Sequence, residues 1–170
     1  MKVIIIGAST TGKTTILKHL KQTHNLLIQE ADDILTELNG GTYPQDSRIK
    51  MSTLAPIMVT QVLNQDQIIF FTNAHYFSVT DLISARNKGF KIILLSLTKK
   101  KMLERNKERV KYKGYDDLSK YFDDMILYEE KIIKAGLFDN VIDVNQPIEN
   151  IISQIIVAFE SNLWTNFSVS

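Results

Sequence analysis

The eight residues Gly7-Ala8-Ser9-Thr10-Thr11-Gly12-Lys13-Thr14 follow directly on the apolar run Val3-Ile4-Ile5-Ile6 and lead into a helical spacing at Ile16, Leu17 and Leu20. This G-x-x-x-x-G-K-[ST] pattern between a strand and a helix has a physical purpose. Glycines let the backbone turn tightly with its N–H groups facing inward, and the helix that starts near Lys13 adds the positive end of its dipole. Lys13 is placed to reach the β- and γ-phosphates of a nucleoside triphosphate, and Thr14 to ligate Mg²⁺. Gly7, Ala8, Ser9, Thr10, Thr11, Gly12, Lys13, Thr14 and Thr15 are therefore the candidate ATP-binding residues, with Lys13 also catalytic and Thr14 the metal ligand. A structural turn rich in Gly and Thr is the competing reading, and the strand-loop-helix context speaks against it.

The rest of the chain repeats that alternation. Short apolar strands are expected at Lys2 to Ile6, Leu26 to Gln29, Gln67 to Thr72, Lys91 to Leu97 and Asn140 to Val144. Most are apolar throughout, so they belong to a parallel sheet buried on both faces, joined by helical crossovers. Apolar stripes at three- and four-residue steps predict helices over Leu118 to Ala135, stopped by Gly136, and from Ile148 to Phe159 after the Pro147 entry. Ser78 with Asp81 fits a capping box that opens a helix ending near Lys88. Pro56 interrupts the spacing of Met51, Leu54, Ala55, Met58 and Val62, where a kink or break is expected. The expected fold is an α/β three-layer sandwich.

With 170 residues, the chain is expected to form one domain over 1–170, within the usual range of about 100–200 residues per domain. Lys plus Arg is 20 and Asp plus Glu is 19; this balance argues against a protein held to nucleic acid chiefly by phosphate neutralisation. The absence of cysteine excludes disulfides, thiolate zinc sites and a cysteine nucleophile. His19, His24 and His75 lack metal-ligand spacing. No apolar run is long enough for a membrane span, and the expectation is a soluble, cytoplasmic protein, either monomer or homodimer.

The two Asn-Lys pairs, Asn87-Lys88-Gly89-Phe90 and Asn106-Lys107-Glu108-Arg109, lack the aspartate of a guanine-specific N-K-x-D motif. The third strand ends Phe70-Phe71-Thr72-Asn73, with no acid to hold a metal and orient water. Neither a GTPase nor a motor-type ATPase fits. After the fourth strand comes Thr98-Lys99-Lys100-Lys101-Met102-Leu103-Glu104-Arg105-Asn106-Lys107-Glu108-Arg109, then a polar basic loop to Gly114 and a long helix. Arg105 and Arg109 stand four apart, share one helical face and can converge on one anion, where planar guanidinium forks bind phosphate oxygens.

Together with the phosphate loop, this lid element resembles the small P-loop kinases, the nucleoside and nucleoside monophosphate kinases with the related gluconate, shikimate and polynucleotide kinases. The resemblance implies a five-stranded parallel sheet of order 2-3-1-4-5 with helices on both faces, an acceptor-binding region at about 30–64 and a lid at about 99–116. It implies ATP with Mg²⁺, Arg105 and Arg109 at the γ-phosphoryl, and adenine near Asn145 to Pro147. An acid after the second strand then contacts the acceptor or takes its proton; Glu30, Asp32 and Asp33 stand there, with Asp32 favoured as catalytic and Asp33 as acceptor-binding. Arg48, Asn73 and Arg86 complete the candidate acceptor side, and Asn73 departs from the aspartate common in the family. The implied reaction moves the γ-phosphoryl of Mg·ATP to a nucleoside or nucleoside monophosphate. Alternatives are a nucleotide-binding ATPase or regulatory module, or a kinase of polynucleotide 5′-hydroxyl ends or another small hydroxyl acceptor.

Overall fold

The structure, a computed structural model, describes residues 1–24 and 26–160. The aromatic tail residues Trp164 and Phe167 lie outside the described residues. Five strands, β1 (Lys2–Gly7), β2 (Ile28–Glu30), β3 (Ile68–Thr72), β4 (Lys91–Ser96) and β5 (Asn140–Asp143), form one sheet of order β2-β3-β1-β4-β5. Every pairing is parallel, with Ile4 opposite Phe70 in β3 and Ile92 in β4. This is the order implied by the family resemblance.

Parallel neighbours need helical crossovers, which cover both faces and make the central strands apolar throughout. Successive side chains of β1 and β3 point to opposite faces, so each strand feeds two cores. Ile4, Ile6, Ile68 and Phe70 pack under α2 (Ala31–Leu38), α4 (Ala55–Leu63) and α5 (Val79–Asn87). Val3, Ile5, Ile69 and Phe71 pack under α1 (Lys13–Thr23) and α8 (Ile148–Glu160), joined by Met102 of α6 (Lys99–Lys113) and Phe122 of α7 (Phe122–Lys134). The remaining helix, α3, is the single turn Ser47–Ile49.

Three local expectations are revised. Pro56 does not break its helix, because the chain runs from α3 through a π-helical turn at Lys50–Leu54 into α4. In the widened turn the Ala55 N–H reaches back to the Lys50 carbonyl, and Pro56 falls in the first turn of α4, where its missing N–H costs little. The stretch expected as a loop from Arg109 to Gly114 is helical through Lys113 and stops at Gly114, which takes the left-handed conformation with φ 65°. The second strand begins at Ile28 rather than Leu26; it pairs only with β3, and this edge register leaves Leu26 and Leu27 exposed. The capping box at α5 is present, Ser78 accepting from the Asp81 N–H and Asp81 from the Ser78 N–H. Among the described residues, no helix is long and apolar enough to cross a membrane.

Candidate active site

The C-terminal ends of β1, β2 and β3 open into one cleft of about 1690 Å³, roofed by residues of α6 and α7. On its donor side the phosphate loop leaves β1 at Gly7 and enters α1 at Gly12, whose φ of 88° only glycine adopts without strain. No side chain caps the first turn of α1 and the Thr15 N–H donates to the Gly12 carbonyl, so the N–H groups of Lys13 and Thr14 remain available to an anion. Thr10 is held at φ 76° although it carries a Cβ, and its hydroxyl is buried without a hydrogen-bond partner. A strained residue and an orphaned polar atom at this position are what a loop shaped around a polar ligand leaves behind.

Lys13 is folded onto its own loop, donating to the Gly7 and Ala8 carbonyls at 2.7 and 2.9 Å. Burial pulls its ammonium down to about 8, against the opposing pull of Asp32 and Glu129. Ser9, Thr10, Gly12, Thr14 and Thr15 line the cleft with Lys13; Gly7, Ala8 and Thr11 sit behind it as the loop's support. The Thr11 hydroxyl donates to the Ala8 carbonyl at 2.8 Å.

Arg105 and Arg109 both line the cleft, with different partners. Arg105 donates to the Thr10 carbonyl at 3.2 Å and the Val144 carbonyl at 2.9 Å, stitching α6 to the phosphate loop and the end of β5. Arg109 lines the cleft one turn later, its guanidinium 4.6 Å from the Tyr115 ring centre and near enough to Lys13 to repel its charge. Backbone carbonyls take the first guanidinium because the helix start at Thr98 brings it against the loop, a contact that spacing alone does not reveal. The base of the lid is tied by the buried Asn106, which donates to Asp117 at 2.7 Å and accepts from the Leu118 N–H.

Across the cleft stands Asp32, in the first turn of α2, with Glu30 at the end of β2 beside it. Burial raises the Asp32 carboxyl above its ordinary value, with Lys13, Lys50 and a hydrogen bond to Tyr43 pulling the other way. Glu30 is raised by burial and by the neighbouring Asp33 and Asp32. Tyr43 joins this group to Tyr76, hydroxyl to hydroxyl at 3.3 Å, and Lys50 donates to the Tyr43 hydroxyl at 3.3 Å. Asn73 follows β3 on the cleft wall, and His75, at φ 80°, places its ring 4.9 Å from that of Tyr128.

Three expected acceptor residues are not brought to this wall. Asp33 is exposed and Arg48 lies on the outer side of α3; neither lines the cleft, although Glu30, Asp32 and Lys50 do. Arg86 donates to the Gly136 carbonyl at 2.7 Å and faces Asp139 at 3.7 Å, so it ties α5 to the turn before β5. For helical residues such as these, which side meets the cleft depends on which stripe the sheet buries. Glu129, Lys50 and Tyr43 were not among the sequence candidates. Glu129 is indistinguishable from Glu130 in the sequence, and the cleft side of Lys50 and Tyr43 depends on the π turn.

No family model and no curated protein matches this sequence. Solved structures match over nearly the whole chain. A shikimate kinase from Aquifex aeolicus vf5 is 17% identical with a TM-score of 0.68, covering 96% of this chain and 99% of its own. The shikimate kinase from Acinetobacter baumannii, in complex with shikimate, is 15% identical with a TM-score of 0.72, covering 95% and 93%. A deoxyadenosine kinase from M. mycoides with bound dATP is 18% identical with a TM-score of 0.60, covering 94% and 100%. The chain has the fold of the P-loop kinases of small molecules.

Proposed function

We propose that this protein is an ATP-dependent phosphotransferase that moves the γ-phosphoryl group to a hydroxyl of a small acceptor, a nucleoside being the preferred class. The observation that carries the reading is that Lys13 and Arg109 face Asp32 across one cleft, close enough for both charges to act on Lys13. A cation pair at the donor phosphates opposite a carboxylate is the arrangement a hydroxyl kinase needs.

The roles follow from position. The loop N–H groups and the start of α1 hold the β- and γ-phosphates, and Lys13 turns from its carbonyls to the γ-phosphate. Arg109 neutralises charge that spreads over the phosphoryl oxygens in flight. Arg105, anchored between loop and β5, positions the lid beside the base instead of meeting the phosphoryl group. Asp32 accepts the proton of the acceptor hydroxyl, and its raised pKa brings it closer to the range where a base is effective.

The donor set also fits a magnesium ion that arrives with the nucleotide: Thr14 offers a hard oxygen at the loop, and no group of three His, Cys, Asp or Glu among the described residues would hold a metal by itself. Thr14 together with the phosphates would hold Mg²⁺, which would supply neutralisation of phosphate charge.

The acceptor half favours a hydroxyl over a phosphate. Arg48 and Arg86, the candidates for an acceptor phosphate, stand off the cleft, while the acids Glu30, Asp32 and Asp124 line it together with Lys50 and Lys131. Tyr43, His75 and Tyr128 give that wall aromatic side chains, against which a planar base can pack. Among the structural neighbours the acceptors are as different as a deoxynucleoside and shikimate, so the assay must range across classes. Purified protein with Mg·ATP is offered nucleosides, nucleoside monophosphates, small hydroxy acids and polyols, and a 5′-hydroxyl oligonucleotide, with products weighed by mass spectrometry. The expected result is phosphorylation of a nucleoside. A monophosphate or oligonucleotide as the sole acceptor overturns the acceptor class, and ATP binding with no acceptor turned over overturns the phosphotransferase reading.

A further inference from the structure

Glu129 is a buried carboxylate to which the transfer reaction gives no part. It is 8% exposed, sits on α7 and is 121 residues from Ala8, whose backbone N–H donates to its Oε1 at 3.1 Å. Burial raises its carboxyl to about 7, opposed by that hydrogen bond and by the charge of Lys13. Burying a carboxylate is unfavourable unless something specific is held by it.

What it holds is one peptide unit. The carbonyl of the Gly7–Ala8 peptide accepts from the Lys13 ammonium at 2.7 Å, and the N–H of the same unit donates to Glu129 at 3.1 Å. The peptide dipole thus has a cation at its oxygen end and a carboxylate at its N–H end. Each polarises the unit in the sense that strengthens the other bond. The orientation of this peptide sets the first turn of the phosphate loop, because Gly7 is its hinge and Ala8 also accepts from Thr11 and Lys13.

We propose that Glu129 is the positioning residue of the phosphate loop: by holding the Ala8 N–H from behind, it fixes the Gly7–Ala8 peptide and so the loop conformation that a triphosphate meets. The part of this concerning turnover rests on the phosphotransferase reading; the part concerning nucleotide binding does not. Anchorage of α7 does not depend on this bond alone, since the adjacent Tyr128 hydroxyl donates to the Phe77 carbonyl at 2.6 Å. Phe122 and Ile132 of the same helix are fully buried. The helix therefore stays in place when the carboxylate is replaced.

Two replacements of similar volume separate hydrogen bonding from packing. Glu129→Gln keeps an oxygen acceptor for the Ala8 N–H, whereas Glu129→Met fills the space and leaves that N–H unpaired. The affinity for Mg·ATP is measured by calorimetry, kcat and KM with the acceptor found for wild type, and folding by thermal melting. Glu129→Met is expected to weaken ATP binding about tenfold or more, as loss of a buried hydrogen bond in a preorganised site does, and Glu129→Gln to stay within a few-fold of wild type. ATP affinity of Glu129→Met equal to wild type, or an equal loss in both variants, overturns the proposal.

If Glu129→Met does not fold, the Ala8 amide proton resonance decides. In wild type it is expected downfield and to follow the carboxylate titration, and in Glu129→Gln to be insensitive to pH; a pH-insensitive wild-type resonance overturns the proposal. Wild-type protein that binds ATP yet phosphorylates nothing refutes the phosphotransferase reading and leaves the affinity comparison intact.

Discussion

At the residue scale the tightest constraint lies at Gly7. A Cβ there would come to 2.7 Å from the Thr11 hydroxyl oxygen, 3.1 Å from the Leu95 Cβ and 3.3 Å from the Leu95 carbonyl oxygen. Thr11 cannot yield freely, because its hydroxyl is buried and bonded to the Ala8 carbonyl. Gly7→Ala is therefore expected to destabilise the fold by about 1–3 kcal/mol, the usual cost of overpacking, and to weaken ATP binding beyond what partial unfolding explains. Melting and ATP titration on one preparation check both. Glu129 gives the pH dependence. Its carboxyl is raised from 4.5 to about 7, so the native state holds its proton more tightly than the unfolded chain does. Its contribution is complete below about pH 4.5 and is lost as pH rises through about 7, a difference of about 3 kcal/mol at most. Urea midpoints across that window are expected to fall more steeply for wild type than for Glu129→Gln, and parallel curves would refute the assignment. The loop motif made Gly7, Lys13 and Thr14 recognisable from sequence, since their chemistry is local. Glu129 was not legible, because its partner lies 121 residues away in the phosphate loop and Glu130 looks the same.

At the scale of elements, α6 carries two arginines with different partners, and the proposed reaction gives them separate tasks. Arg105→Ala removes the ties to Thr10 and Val144 and is expected to raise the KM for ATP more than it lowers kcat. Arg109→Ala is expected to lower kcat by about 10³-fold or more with a smaller change in ATP affinity, as for arginines that neutralise a transferring phosphoryl group. Steady-state kinetics with ATP varied separates the two, and the reverse pattern would exchange their roles. The four-residue spacing correctly put both on one helix, but it could not say that the first would be taken by backbone carbonyls. Helix boundaries followed local chemistry closely at α5, where Ser78 and Asp81 cap each other, and at α7, which Gly136 ends at φ 64°. Around Pro56 local reasoning failed. A break and a widened π turn both accommodate a missing N–H, and packing of Leu54, Ala55 and Met58 against the sheet favours the continuous form.

For the whole molecule, the order of the sheet brings the loop after β1, the acids after β2 and the wall after β3 side by side, because β1 and β2 both border β3. The site is an outcome of that topology. Arg86 belongs to the scaffold, bracing α5 against the turn between α7 and β5. Arg86→Ala is expected to lower stability by about 1 kcal/mol or less, as partly exposed ion pairs do, while kcat and KM for both substrates stay at wild-type values; a selective rise in acceptor KM would return Arg86 to the site. The sequence by itself determined the phosphate loop, the alternation of strands and helices and, through the lid motif, a resemblance to a family whose sheet order the structure has. Those features depend on neighbours within a few residues, where glycine conformation, helix capping and apolar period act directly. Only the tertiary structure decided which side of each helix faces the cleft. It turned Asp32 and Lys50 inward and Arg48 and Arg86 away, divided the lid arginines and seated Glu129 behind the loop. Helix rotation is set by the whole buried stripe against the sheet, a sum over distant contacts that no short stretch of chain contains.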